Sequence, residues 1–308
     1  MDIDVIVAEH TKRLAAADAL LPKPQSWAPG EGTRLSARDG VALATRSRIA
    51  AGAREALWRP LTEYQLDVRL AGADPGVPLG ALLAEWEELL SEAADEPDSA
   101  AAVTRPSRDT VGCAELLRHG FSPTRVLAVR PADRLGSGPP AVPGVRIRRA
   151  EPADLNTLVR LRLELRRYDA QFAVVTLRPG EERVLTDATR ELIGTVSSGV
   201  PALWIAELYG KPLGFVHVQL PPRSDWAGEY VAAERVGYLA VLHVAEEARS
   251  TGVGTALAGH AHQLFDEEGI EAVLLHHALA NPRSTPFWYA QGYRPLWTTW
   301  YRHPAARG

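Results

Sequence analysis

The stretch "VGYLAVLHV", Val236–Val244, is apolar almost throughout. A strand of this pattern has no face to offer water, so it reads as a central strand of a sheet covered on both sides. It leads into "RSTGVGTAL", Arg249–Leu257, where two glycines stand one residue apart. Val253, Leu257, Ala261, Leu264 and Phe265 then fall on one helical face, and Gly269 marks the end of that helix. "EAVLLH", Glu271–His276, is the next buried strand. Any fold for this chain must accommodate a strand, a glycine turn, a helix and a second strand in direct succession.

The flanking sequence extends the pattern. "VRIRRA" (Val145–Ala150) reads as a short strand, and Pro152 follows where a first helical turn tolerates proline. Leu158, Leu161, Leu165 and Tyr168 recur at helical spacing, and a second helix is expected over about 181–196. "LWIAEL" (Leu203–Leu208) and "LGFVHVQL" (Leu213–Leu220) are strands joined by a turn at Tyr209–Pro212. A loop carrying Trp226 and Tyr230 spans Pro221–Arg235, and a short helix ("STPFWYAQ") and a final strand ("YRPLWTTWYRH") close the chain.

"PADRLGSGPPAVPG", Pro131–Gly144, is rich in Pro and Gly and has no apolar periodicity. It predicts domains at 1–135 and 145–308 with a linker at 136–144. The first half repeats part of the order of the second. An offset of 174 residues places Tyr64 on Tyr238, Leu70 on Val244 and Gly80 on Gly254, and an offset of 172 places Gly120–Phe121 on Gly292–Tyr293. Two copies of one domain are expected.

The chain has 308 residues, 46% of them hydrophobic, enough to bury a core in each half. A net charge of −4 argues against a dedicated nucleic-acid binder. With Cys113 as its one cysteine, the chain can form no internal disulfide and no cysteine-rich zinc site. His276–His277 raises a metal reading, but neighbours on a strand point to opposite faces, so no metal is expected. The N-terminal residues lack the pattern of a signal peptide, and no apolar run reaches membrane-spanning length; a cytoplasmic protein without membrane or nucleic-acid partners is expected.

A strand running into a glycine turn and a helix aims free backbone N–H groups outward, where the helix dipole adds to their pull on an anion. A P-loop requires Gly-Lys-Ser/Thr, but Thr255 follows Gly254 directly. A dinucleotide fingerprint requires a third glycine at position 257, where Leu stands, and an acidic residue after the next strand, which ends in His276–His277. A coenzyme A pyrophosphate cradle and a plain tight turn remain.

The surroundings resemble the GNAT superfamily of acyl-CoA-dependent N-acyltransferases. Its cofactor motif, Arg/Gln-x-x-Gly-x-Gly/Ala, is similar to Arg249-Ser250-Thr251-Gly252-Val253-Gly254. The family's later signature is matched by Asn281, by Phe287-Trp288 and by Gly292-Tyr293, and "LWIAELYGKPLGFVHV" looks like its hairpin of second and third strands. The likeness covers Val145–His303. It implies a mixed α/β (α+β) architecture of two GNAT-like domains, each a mixed, mostly antiparallel sheet flanked by helices. The first copy looks degenerate: its loop, "AGADPGVPLG", has Pro75 where Arg249 stands and Pro78 where Gly252 stands, and proline offers no N–H.

The resemblance further implies an N-acetyltransferase using acetyl-CoA, with a primary amine of a small molecule or protein attacking the thioester directly in a ternary complex. By residue-for-residue carry-over, the backbone N–H of Leu242 is the oxyanion donor. Val244 pairs with the pantetheine arm like an added strand. Ser250, Gly252, Gly254 and Thr255 supply pyrophosphate N–H groups, and Asn281 contacts the coenzyme arm. His243, Arg249, Thr251, Val253 and Trp288 complete the cofactor-contacting set. The position of the family's proton-donating tyrosine holds Trp288; Tyr289, one residue on and about 100° around a helix, is the substitute where the short helix is irregular. The carboxylate base that some members carry falls near Tyr238, which leaves Glu207, Glu229, Glu234, His217 and His243 as candidates for the base. A non-catalytic acyl-CoA-binding sensor or scaffold is the alternative, and an antibiotic-modifying enzyme differs from the first reading only in its acceptor.

Overall fold

The computed structural model describes residues 2–91, 96–132, 142–172, 175–197 and 199–306. Of the expected linker, positions 136–141 lie outside these residues. The elements in chain order are α1 (Ile3–Ala17), β1 (Thr33–Ala37), β2 (Gly40–Arg48), β3 (Thr62–Leu70), α2 (Gly76–Leu90), β4 (Ser99–Pro106), α3 (Cys113–Arg118) and β5 (Ser122–Pro131). They continue with β6 (Val145–Arg149), α4 (Leu155–Asp169), α5 (Glu181–Gly194), β7 (Val196–Ser197), β8 (Val200–Pro201), β9 (Leu203–Leu208) and β10 (Lys211–Gln219). β11 (Val236–Val244), α6 (Val253–Glu267), β12 (Ala272–Ala278), α7 (Ser284–Ala290) and β13 (Arg294–Arg302) complete the chain. It divides into two compact units, Met1–Leu127 with Pro295–Gly308, and Ala128–Arg294. Among the described residues, no helix is long and apolar enough to cross a membrane.

In the first unit β1, β2 and β3 run antiparallel, and β3 lies parallel to β4 from Thr62↔Ser99 to Gln65↔Ala102. The parallel pair requires a crossover, which α2 provides. Leu79, Leu82, Leu83, Trp86 and Leu90 of α2 are buried against Leu66, Val68 and Leu70 of β3. The strand reading of the C-terminal residues is met, and the sheet they enter lies in this unit. β13 runs antiparallel to β4, from Trp297↔Pro106 to Arg302↔Ala101, and residues 295–308 group with the first unit. Trp300, Ala305 and Ala306 join its core, and the buried Arg302 guanidinium bonds Glu87 (2.6 Å) and the carbonyl of His119 (2.9 Å).

In the second unit β6, β9, β10 and β11 are antiparallel neighbours, and β12 lies parallel to β11. Leu158 and Leu161 of α4 and Ile193 of α5 pack on Ile205 and Phe215 across one face. α6 covers the other face. A Cβ at Gly214 would lie 3.1 Å from Leu257 and Val253, and one at Gly237 only 2.6 Å from the Phe265 ring. Arg148 joins three elements, bonding Glu207 of β9 (2.6 Å) and Asp154 at the foot of α4 (2.7 and 2.8 Å). These carboxylates hold its guanidinium well above the ordinary arginine range.

The architecture is mixed α/β, with mostly antiparallel sheet flanked by helices, and one order of elements occurs in both units. β1-β2-β3-α2-β4 and β9-β10-β11-α6-β12 have the same strand senses. β3 and β11 correspond end for end at the offset of 174 read from the sequence.

Both units bury neutral imidazoles. Burial holds His10 in the first, and His217 and His262 in the second, at about 3 instead of 6.5. The unfolded chain takes up a proton at each near 6.5, whereas the native chain does not until near 3. Stability present above about 6.5 is therefore lost as the pH falls towards 3. The urea midpoint is expected to drop steadily below neutrality and to drop less in His217→Gln. A midpoint independent of pH over this range would contradict the buried neutral imidazoles.

Candidate active site

β11 and β12 pair at three positions, Val236↔Ala272, Gly237↔Val273 and Tyr238↔Leu274. No further pair follows between them among the described residues. At the point of parting, β11 is irregular. Its partners on β10 pass from Leu239 (opposite Val218) to Val241 (opposite His217), leaving Ala240 as the extra residue of a bulge. A bulge bends its strand and strengthens the local twist.

Beyond the bulge the ladder is regular, and its phase settles where the N–H groups point. The Ala245 N–H donates to Leu213 O at 2.7 Å. Antiparallel pairs alternate between hydrogen-bonded and non-bonded. Phe215↔His243 is then a bonded pair, and Gly214↔Val244 and Val216↔Leu242 are non-bonded ones. The N–H groups of Leu242 and Val244 therefore turn away from β10, towards the side that β12 has left.

The chain continues from Val244 into the glycine loop. Ser250 (φ 64°) and Gly252 (φ 89°) are left-handed, a conformation that glycine adopts freely and serine at a cost. Gly252 caps α6 without a side chain. The Ala256 N–H is the first to find a helical acceptor, Gly252 O at 3.0 Å. Among the described residues, the N–H groups of Gly252, Val253, Gly254 and Thr255 donate to no protein acceptor. Four such groups at a helix start, with the helix dipole behind them, attract an anion. A Cβ at Gly254 would meet Phe287 and Val244 at an ordinary 3.6 Å, so the fold itself does not demand glycine there.

Side chains fix this loop in place. Glu164 of α4 accepts from the Glu246 N–H (2.9 Å) and lies 3.4 Å from His243 Nε2 and 3.8 Å from Arg249. Burial outweighs that carboxylate and brings His243 down to about 4, so its imidazole is neutral at pH 7. Arg249 also reaches Glu246 (3.4 Å), and its guanidinium lies over the Tyr168 ring at 5.2 Å. Arg283 lies over the same ring at 5.7 Å. The Thr251 hydroxyl donates to Ala248 O at 2.6 Å. Sequence reading missed Glu164 and Arg283; the signal for Glu164 was its place four residues before Tyr168, on the same helical face.

The buried Asn281 uses its Oδ1 to accept from the N–H groups of Arg283 (3.0 Å) and Ser284 (3.1 Å), which fixes the start of α7. Trp288, 6% exposed, packs edge-to-face on Phe287 and Tyr293. α7 is regular, so Tyr289 stands about 100° around from it. Tyr289 is 38% exposed and lies edge-to-face on His277 at 5.9 Å. Partial burial raises its phenol, which keeps its proton at neutral pH.

Of the other candidates for the base, Glu207 is held by Arg148, and His217 is buried and neutral. Glu229 and Glu234 are exposed. Among the described residues, no group of three or more His, Cys, Asp or Glu is placed to hold a metal ion.

The loop of the first unit differs. Asp74 accepts from the Gly76 N–H through its side chain (3.0 Å) and from the Val77 N–H through its carbonyl (3.2 Å), and Leu79 donates to Pro75 O (3.3 Å). With Pro78 lacking an N–H, the first turn of α2 has no donor to offer an anion.

Residues 167–293 match the model of the acetyltransferase (GNAT) family. The fold is similar to a GCN5-related N-acetyltransferase from Sphaerobacter thermophilus (TM-score 0.54, 15% identity, covering 88% of this chain and 79% of that one). It is also similar to a GCN5-related glucosamine N-acetyltransferase region of a fungal multi-domain GH3 β-N-acetylglucosaminidase (TM-score 0.52, 14% identity, 85% of this chain and 31% of that one). A tandem GNAT protein from the clavulanic acid biosynthesis pathway aligns at TM-score 0.45 and 15% identity, over 81% of this chain and 77% of its own. A search of curated protein sequences finds no match. Residues 167–293, with their parted strands and open helix N-terminus, are an acetyltransferase domain of the GNAT family, the acyl-CoA-dependent N-acetyltransferases.

Proposed function

We propose that this chain transfers an acetyl group from acetyl-CoA to a primary amine of a small molecule or protein, by direct attack within a ternary complex. The observation that carries the reading is the run of unused backbone donors from Leu242 and Val244 to the uncapped start of α6. Such a line fits a ligand with an amide-bearing arm at one end and a pyrophosphate at the other.

In this reading Val244 pairs with the pantetheine arm. Ser250, Gly252, Gly254 and Thr255 supply N–H groups to the pyrophosphate, and Thr251 and Val253 complete the turn. Arg249 and Arg283 add positive charge beside it. With Asn281 Oδ1 committed to the start of α7, the Nδ2 amide is the part of that side chain that faces the arm. Trp288 serves by packing α7 into place.

The amine nitrogen attacks the thioester carbonyl, and the Leu242 N–H stabilises the negative oxygen of the tetrahedral state. As the C–S bond breaks, the thiolate departs and takes its proton from solvent, since the regular α7 turns Tyr289 about 100° from the position Trp288 holds. Trp226, 41% exposed in the loop before β11, lines the acceptor's approach. The first unit takes no coenzyme, because its loop donors are bonded internally.

Gly254→Asp separates fold from function. A carboxylate in the first turn favours the helix and repels a phosphate. Thermal stability is expected to hold or rise while coenzyme A affinity falls by about tenfold or more, an effect of about 1.4 kcal/mol. Calorimetry should also show one coenzyme A per unaltered chain and no second, weaker site in the variant. Free-thiol release from acetyl-CoA across an amine panel decides catalysis: tight binding without turnover on any amine would favour a non-catalytic sensor.

A further inference from the structure

β12 carries two adjacent histidines, and a strand sends adjacent side chains to opposite faces. His277 is buried on the side of α7, beside Tyr289. His276 is exposed on the other side, with its Nδ1 2.9 Å from the phenolic oxygen of Tyr238. Tyr238 is the last residue of β11 to pair with β12, so it stands at the root of the opening. Its neighbour Gly237 faces Phe265 of α6, which places the Tyr238 side chain on the face away from α6. Trp226 lies edge-to-face against it at 4.7 Å, with Tyr230 6.2 Å beyond Trp226. With the phosphates at the start of α6, an amine arriving from the opposite face meets this tyrosine and histidine.

We propose that Tyr238 and His276 form the proton relay that deprotonates the acceptor amine. The proposal rests on the acyl-transfer reading. As the C–N bond forms, the carbonyl π pair moves to the oxygen, and the nitrogen carries one proton too many. That proton passes to the phenolic oxygen of Tyr238, directly or through one water, while the phenol's own proton moves to Nδ1 of His276. The exposed imidazolium returns it to solvent. Collapse of the oxyanion expels the thiolate, and the products are the amide and the free thiol of coenzyme A. Among the described residues, the first unit shows no such pair. At the corresponding position Tyr64 donates to Glu96 Oε2 (3.0 Å), a carboxylate that Arg46 and Arg48 also hold.

Tyr238→Phe removes the hydroxyl and keeps the ring against Trp226; His276→Ala removes the proton acceptor. Thiol release from acetyl-CoA is measured with 2-phenylethylamine, spermidine, glucosamine and an alanine-initiated peptide. With any amine the unaltered chain turns over, both variants are expected to lose about 10²-fold in kcat, the usual scale of a general base. Acetyl-CoA affinity and melting temperature should stay unchanged. Added imidazole should restore part of the rate of His276→Ala and none of that of Tyr238→Phe. An unchanged kcat in either variant overturns the relay and leaves acetyl transfer standing. If the unaltered chain binds acetyl-CoA and turns over none of these amines, acetyl transfer falls and the relay falls with it.

Discussion

Among the described residues, parallel strands β11 and β12 share pairing only from Val236 to Tyr238, and the rest of the proposed site depends on that early parting. Backbone N–H groups inside a protein are almost always paired. Here the ladder's alternation turns those of Leu242 and Val244 towards a neighbour that has moved away. The bulge at Ala240 lies where the two strands separate. A few residues later the start of α6 exposes further N–H groups, because Gly252 has no side chain to cap it. The proposed recognition surface is thus mostly main chain, held at its edges by side chains such as Glu164, whose carboxylate joins α4 to His243 of β11 and to Glu246 and Arg249 of the loop.

The two units show how little must change to close such a surface. Both place a strand, a loop and a helix in the same order and sense. In the first unit one aspartate does for α2 what nothing does for α6. Asp74 satisfies the leading N–H groups through its side chain and its carbonyl. Pro78 removes another donor outright. The first unit keeps the core that this arrangement builds, with Trp86 stacked on Phe121 at 6.0 Å, while the leading N–H groups of α2 are bonded within the loop.

Much of this was legible in the chain. The ends of β9 and β11 fall where the apolar runs begin and end, because a buried strand must be apolar along its whole length. The turn into α6 was legible because few residues other than glycine hold a left-handed backbone. β4 was not: Ser99–Pro106 is rich in alanine, which has low strand propensity, yet Ala100 to Val103 are buried in the sheet. Nor were α1 and the β1–β2 hairpin. Within the site, Glu164 and His276 were hidden by distance. One reaches its partners across 79 to 85 residues and the other across 38; the spacing of Glu164 from Tyr168 records a shared helical face but not that meeting.

The sequence by itself determined the strand–loop–helix frame, its repetition and the damage to the first loop. Apolar period, glycine and proline act within a few residues and need no partner. Only the tertiary structure decided which edge each strand would join. β13 follows α7 in the chain, yet it lies beside β4 with Trp300 in the core of the first unit. A strand's own alternation says which face is buried and nothing about its neighbour, since every sheet edge offers the same N–H and C=O groups. The same holds for Tyr238 and His276. Each is an ordinary residue on its own strand, and the register Tyr238↔Leu274 is what brings the phenol and the imidazole within hydrogen-bonding distance.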